Sequence, residues 1–209
     1  MFQKQLPKVR LESMRSSIKI LVIDDEPFLK KEKLRNVGYK ITETTDIASI
    51  DFVENFEIIV CDIKGVGTQF DSSFQGAFLI DEIKKQYPDK YVILYTGQVL
   101  DSSYNQFTKL CDNSIQKDST VDDWKKMLDE AISIYTDPEE KLKLYKKILF
   151  EKNIDTKQIE LFEKNYRKSF RKNDVSFVSK MINSVAAESF LKIVLETITF
   201  INMILKILG

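Results

Sequence analysis

The chain has 209 residues, 43% of them apolar, which is enough for one sizeable domain or a typical domain plus a small one and too many for a disordered chain. Lysine plus arginine equals aspartate plus glutamate at 32 each, so no overall basic field argues for nucleic acid. Histidine is absent, which excludes a histidine general base, a histidine metal site and a phosphohistidine carried by this chain.

Glycine and proline are sparse, and no internal repeat of solenoid period is present. Cys61 and Cys111 lack metal-type spacing and lie in or beside apolar runs. They read as buried thiols in a reducing compartment, so a cytoplasmic location is expected. Residues 1–16 lack a continuous apolar stretch and carry Lys4, Lys8, Arg10 and Arg15 against Glu12. They read as a flexible basic arm, not a signal peptide.

In Lys19-Ile20-Leu21-Val22-Ile23-Asp24-Asp25-Glu26, apolar residues run straight into adjacent carboxylates. The short, β-branched run suits a strand buried on both faces of a parallel sheet. Ligands of open α/β sheets bind at the C-terminal ends of the strands, where these carboxylates then sit. Two acids placed there repel each other unless a cation holds them. Pro27 suits the first turn of a helix running from Phe28 to Asn36, and Gly38 ends it. Tyr39 to Thr44 alternates as a half-buried strand, and Asp46 caps a short helix to Asn55.

Phe56 to Asp62 repeats the opening pattern, an apolar run delivered into a carboxylate. The loop from Ile63 to Gln75 is long for a strand-to-helix connection, and long loops at that sheet edge are often functional. An amphipathic helix follows from Gly76 to Tyr87. Tyr91 to Tyr95 is a third buried run, ending in Thr96-Gly97. A weaker helix spans Ser102 to Leu110, and a short strand covers Cys111 to Ile115, with Gln116 and Lys117 after it. Ser119 or Thr120 caps a helix whose apolar face holds Trp124, Leu128, Ala131 and Ile132. Strands alternating with helices at this spacing give a parallel sheet with crossovers on both faces.

Past Asp137-Pro138 no strand signal remains. Pro138 begins a helix, Asp155 caps a second to about Asn173, and Asp174 caps a last one from Val175 to Leu208. Lys/Arg clusters in this region interleave with Glu139, Glu140, Glu151, Glu160 and Glu163, so they read as solvated faces. The stretch from Val185 is strongly apolar, but Glu188, Lys192 and Glu196 recur every fourth residue along it. Such charges are costly at mid-bilayer, so a helix packed in a bundle or against a second subunit is expected, without membrane insertion.

Asp24, Asp25, Asp62, Thr96 and Lys117 all fall at C-terminal ends of predicted strands and converge on one crevice. Three carboxylates can hold a divalent cation, and a hydroxyl and an ammonium can hold phosphoryl oxygens. The ordered set DD, D, T, K on alternating strand–helix units resembles the receiver domain of two-component response regulators. The resemblance implies a flavodoxin-like, doubly wound five-stranded parallel sheet of order 2-1-3-4-5. It places the receiver at 17–136, after the arm at 1–16 and before an α-helical output or dimerisation region at 137–209. It implies that Asp62 is the phosphoacceptor. Asp24, Asp25, Asp62 and the backbone carbonyl of Lys64 would hold Mg²⁺. Lys117 would pair with one phosphoryl oxygen, and Thr96 would close on another as the switch.

Three departures from that pattern stand out. Asp118 replaces the usual proline after the lysine, and the loop after Asp62 both has Val66 in place of a proline and is longer than usual. Ser114 occupies the common aromatic switch position, leaving an aromatic-gated output absent or rebuilt through Tyr95 or Tyr104.

The expected function is a phosphorelay switch acting on protein contacts, not a classified enzyme. Its expected partners are a histidine kinase or phosphotransfer protein, a downstream protein, and a second copy through the C-terminal helices. A phosphorylation-independent scaffold is the alternative. Nucleic-acid binding through the Lys/Arg-rich helices is a further reading that the composition disfavours.

Overall fold

Three apolar runs and two more polar segments become five parallel strands in the computed structural model, which describes residues 11–70, 73–97, 104–185 and 187–209. The strands are β1 (Lys19–Ile23), β2 (Lys40–Thr44), β3 (Ile58–Asp62), β4 (Tyr91–Thr96) and β5 (Asn113–Gln116). Their order is β2-β1-β3-β4-β5, the doubly wound arrangement expected. Every residue of β3 and β4 is buried, as a central strand covered on both faces requires.

The helices of this α/β unit are α1 (Leu11–Arg15), α2 (Lys31–Asn36), α3 (Gly76–Gln86), α4 (Asn105–Thr108) and α5 (Val121–Thr136). Leu21, Ile23, Ile59, Cys61, Val92 and Leu94 form one core with Leu79, Ile80 and Ile83 of α3. Elsewhere Phe28, Tyr95 and Trp124 make an aromatic trio. Thr120 caps α5 reciprocally with Asp123, each backbone N–H donating to the other's side chain.

Three local expectations give way to long-range packing. Residues 11–16 were expected in a mobile arm. Instead α1 buries Met14, and Arg15 pairs with Asp129 of α5 at 2.5 Å. Residues 1–10 of the expected arm lie outside the described residues. The helix expected from Phe28 begins only at Lys31, because Phe28 turns into the core and leaves Leu29 87% exposed. The helix expected to be capped by Asp46 is a 3₁₀ segment, Ile50–Asn55, capped by Ser49. Asp46 instead accepts from the backbone of Ile47 and of Gly67, and so ties down the loop after β3. Ser102, Asp71 and Ser72 lie outside the described residues. Cys61 is fully buried and Cys111 partly so, and both are free thiols.

The chain's second compact unit spans Thr136–Gly209. It contains α6 (Pro138–Glu151), α7 (Thr156–Lys172), α8 (Ser176–Ser179) and α9 (Glu188–Leu208). Asp155 caps α7 as expected, Asp137 caps the helix that Pro138 begins, and Asn173 closes α7 in the left-handed conformation. The single helix expected from Val175 to Leu208 is interrupted. It ends after one turn, passes through a 3₁₀ segment at Ile182–Ser184, and resumes at Glu188. Val178 in that single turn and Met181 in the break after it are both buried, so packing against neighbours replaces helix continuity. Phe190, Ile193, Val194, Phe200, Ile201 and Ile204 bury the inner face of α9. No helix among the described residues is long and apolar enough to cross a membrane.

Candidate functional site

Strand register brings the charged residues together. Ile23 stands level with Cys61, so the next residues, Asp24 and Asp62, leave neighbouring strands at the same height. Asp62 is level with Tyr95, and Thr96 is level with Gln116, one residue before Lys117. The parallel register therefore delivers all five residues to one edge. A cleft of about 300 Å³ opens there, lined by Asp25, Glu26, Asp62, Lys64, Gly65, Thr96, Gly97 and Lys117.

Lys117 is the hub. Its Nζ donates to Asp24 Oδ1 at 2.9 Å and pairs with Asp62 Oδ2 at 2.7 Å, with Glu26 at 3.5 Å. Both aspartates are buried. Asp62 Oδ1 accepts from the backbone N–H of Ile63 at 2.6 Å, and Asp24 Oδ1 accepts from that of Glu26 at 3.0 Å. Burial pushes the Asp62 carboxyl above its ordinary range, although the Lys117 hydrogen bond and charge oppose this. Burial also works against the Lys117 ammonium, but its bonds to Asp62 and Asp24 hold its pKa above the usual value. The two shifts are compatible, because the more exposed lysine gains two acceptors while the buried Asp62 shares its donor with Asp24.

Asp24, Asp25 and Asp62 offer carboxylate oxygens that lie within 4.8 Å of one another. A cluster of hard oxygen donors in an open cleft suits Mg²⁺, which takes one or two carboxylates and keeps several waters. Lys64 lines the same cleft, two residues after Asp62.

Several supporting residues carried no clear local signal. Lys30 donates from Nζ to the Lys117 carbonyl at 2.7 Å, and the Lys117 N–H donates to the Thr96 carbonyl at 3.0 Å, so both sides of the Lys117 backbone are held. Tyr95 places its ring 5.3 Å from Lys117 Nζ. Burial, with the nearby Asp24 charge, pushes its hydroxyl up to about 12. Gly76 is required by space, since a Cβ there would lie 1.9 Å from the Asp62 carbonyl oxygen. Only the presence of glycines in the long loop hinted at such close approach.

The three departures also find their places. Val66 is fully buried in the α3-side core. Ser114 and Asp118 are exposed, and the bond between Lys117 and Asp118 is trans. Tyr104 stacks edge-on against Phe74 of the long loop at 6.2 Å.

A flavodoxin-like unit with Asp24, Asp25, Asp62, Thr96 and Lys117 gathered at its strand ends is the arrangement expected of a receiver domain. Solved structures similar to this chain are receivers of response regulators. A CheY-like receiver domain protein from Methanospirillum hungatei is 21% identical, with a TM-score of 0.48 over 56% of this chain and 95% of its own. The receiver domain of NtrX from Brucella abortus is 24% identical, with a TM-score of 0.46 over 54% and 97%. A response regulator from Thermotoga maritima is 18% identical, with a TM-score of 0.46 over 56% and 98%. No family model matches the chain, and no curated protein matches it.

Proposed function

We propose that the chain is a phosphorylation switch in which Asp62 accepts a phosphoryl group from a phosphohistidine on a histidine kinase or phosphotransfer protein. The observation that carries this reading is the seat of Lys117 between two buried carboxylates, in a cleft that also holds Thr96 and a third carboxylate. An ion pair of that kind is a poor investment in stability alone, because desolvation offsets much of its attraction. It is well suited to a site where an anionic group must come and go.

Asp24, Asp25, Asp62 and the Lys64 carbonyl are the groups that would hold Mg²⁺. When bound, that ion supplies charge neutralisation between an anionic nucleophile and an anionic donor. The chain's own residues do the rest. The Ile63 N–H fixes one oxygen of Asp62, and Lys117 holds the other. As Lys117 turns to an oxygen of the incoming phosphoryl group, the Asp62 oxygen it held is released to attack phosphorus. The P–N bond of the donor breaks, the leaving imidazole nitrogen takes a proton from solvent, and an acyl phosphate forms on Asp62. Thr96 closes its hydroxyl on another phosphoryl oxygen. The changed edge of the sheet alters contacts with a downstream protein, and the helical unit provides a surface for pairing with a second copy. Such a chain works in the cytoplasm and modifies only itself.

Intact mass after incubation with acetyl phosphate and Mg²⁺ tests the reading. One phosphoryl adduct on wild type and none on Asp62→Ala is the expected result. Absence of any adduct on wild type overturns it.

A further inference from the structure

Of the three clustered carboxylates, Asp24 and Asp62 are each held by a backbone N–H and by Lys117. Asp25 has no hydrogen bond or ion pair with a described residue, and it stands exposed at the cleft. What bounds it is Gly65. A Cβ built on Gly65 would come within 2.3 Å of Asp25 Oδ2, so the Gly65 backbone forms a wall against that carboxylate.

Gly65 is itself held from ten residues away. Its N–H donates to Gln75 Oε1 at 2.9 Å, across the neck of the long loop after β3. A second bond, from the Gly76 N–H to the Ile63 carbonyl at 3.1 Å, closes the same neck. The neck therefore stays shut without the Gln75 side chain, whose separate effect is to fix Gly65. Gln75 does this from φ 51° and ψ −122°, a backbone region natural to glycine and strained for glutamine. Strain of this kind persists where the surroundings over-determine it and clusters at functional sites.

We propose that Gln75 is a positioning residue for the cation site, holding the Gly65 backbone against Asp25 so that Asp25 stays in range of Asp24 and Asp62. The proposal rests on the Mg²⁺ reading above and gives the long loop a task in it. It predicts two changes of opposite sign in one variant. Gln75→Gly relieves the backbone strain and removes the acceptor for Gly65, so the protein becomes more stable while its site binds Mg²⁺ more weakly.

Calorimetric titration of the 209-residue chain with Mg²⁺, together with its melting temperature, tests this. Gln75→Gly is expected to melt a few degrees higher and to bind Mg²⁺ roughly tenfold more weakly, the usual scale for losing a supporting partner of a metal ligand. Gln75→Glu keeps an acceptor oxygen for the Gly65 N–H and is expected to bind Mg²⁺ at least as tightly as wild type. Equal affinity of wild type and Gln75→Gly overturns the inference alone. A Gln75→Gly variant that loses stability and affinity together also overturns it, since that marks a merely structural role. A wild type that takes up no Mg²⁺ overturns the metal reading and this inference with it.

Discussion

Lys117 in the α/β unit and Arg167 in the helical unit each hold two carboxylates. Lys117 sits between Asp24 and Asp62, whose side chains are 2% and 7% exposed. Arg167 forks onto Glu139 at 2.8 Å and reaches Glu163 at 2.9 Å, with those side chains 34% and 22% exposed. Lys146 adds a further partner to Glu163. The pattern of pairing is shared, but its setting is not. In the helical unit the charges lie partly in solvent and join neighbouring helices, where such pairs contribute modestly. In the α/β unit two acids are buried beside each other and share one cation, an arrangement that stability alone does not favour. Burial is therefore what separates the two hubs.

The contrast can be broken most severely at Gly76, which has no counterpart in the helical unit. Gly76→Ala would drive a Cβ into the Asp62 carbonyl. It should cost about 3 kcal/mol or more in urea unfolding, at or beyond the upper end of the usual cost of overpacking, because the atom met is backbone. The two hubs provide the next comparison. Lys117→Met leaves buried carboxylates without their cation and should cost about 3 kcal/mol without divalent ions. Added Mg²⁺ should restore stability, and its affinity should exceed that of wild type because no ammonium competes for Asp24 and Asp62. Arg167→Met should cost about 1 kcal/mol or less and show no response to Mg²⁺.

The smallest effects are those of pH, and they have opposite signs in the two units. Asp62 is raised by burial, so between its ordinary pKa and the raised one the folded protein keeps a proton that the unfolded chain has lost. Its contribution to stability falls as pH rises through that window. Glu163 is buried enough to oppose its charge, but hydrogen bonds from Lys146 and Arg167 outweigh this and lower its pKa. Its contribution is present above the ordinary glutamate value and is lost as pH falls through the lowered one. Urea midpoints between about pH 3 and 7 should show Asp62→Asn removing a loss on the alkaline side and Glu163→Gln removing one on the acidic side.

The central strands were legible because β-branched runs such as Ile58–Cys61 have few other places to go, and Asp24, Asp62 and Thr96 because each such run ends in a polar group. Thr120 and Asp155 were legible because a cap acts within three residues of its own position. Residues whose place is set by a distant partner were not. Phe28 reads locally as a helix's first turn, yet Trp124, with its ring 4.8 Å away, decides where it goes. The apolar run toward Leu208 hid its own break, because Val178 and Met181 are as apolar as residues inside a continuous helix. Lys30 and Gln75 act on partners 87 and 10 residues away, through bonds that no spacing rule encodes.

The chain contains one tryptophan, Trp124, buried against Phe28 and against Tyr95 at 5.3 Å. Phe28 stands three residues beyond Asp25, and Tyr95 immediately precedes Thr96 and faces Lys117. Any displacement of those neighbours changes the polarity and quenching around a single indole. The protein therefore carries its own optical reporter of events in the cleft. Because the helical unit contributes no indole, emission excited at the red edge of the tryptophan band would follow the α/β unit alone in the intact, unlabelled chain.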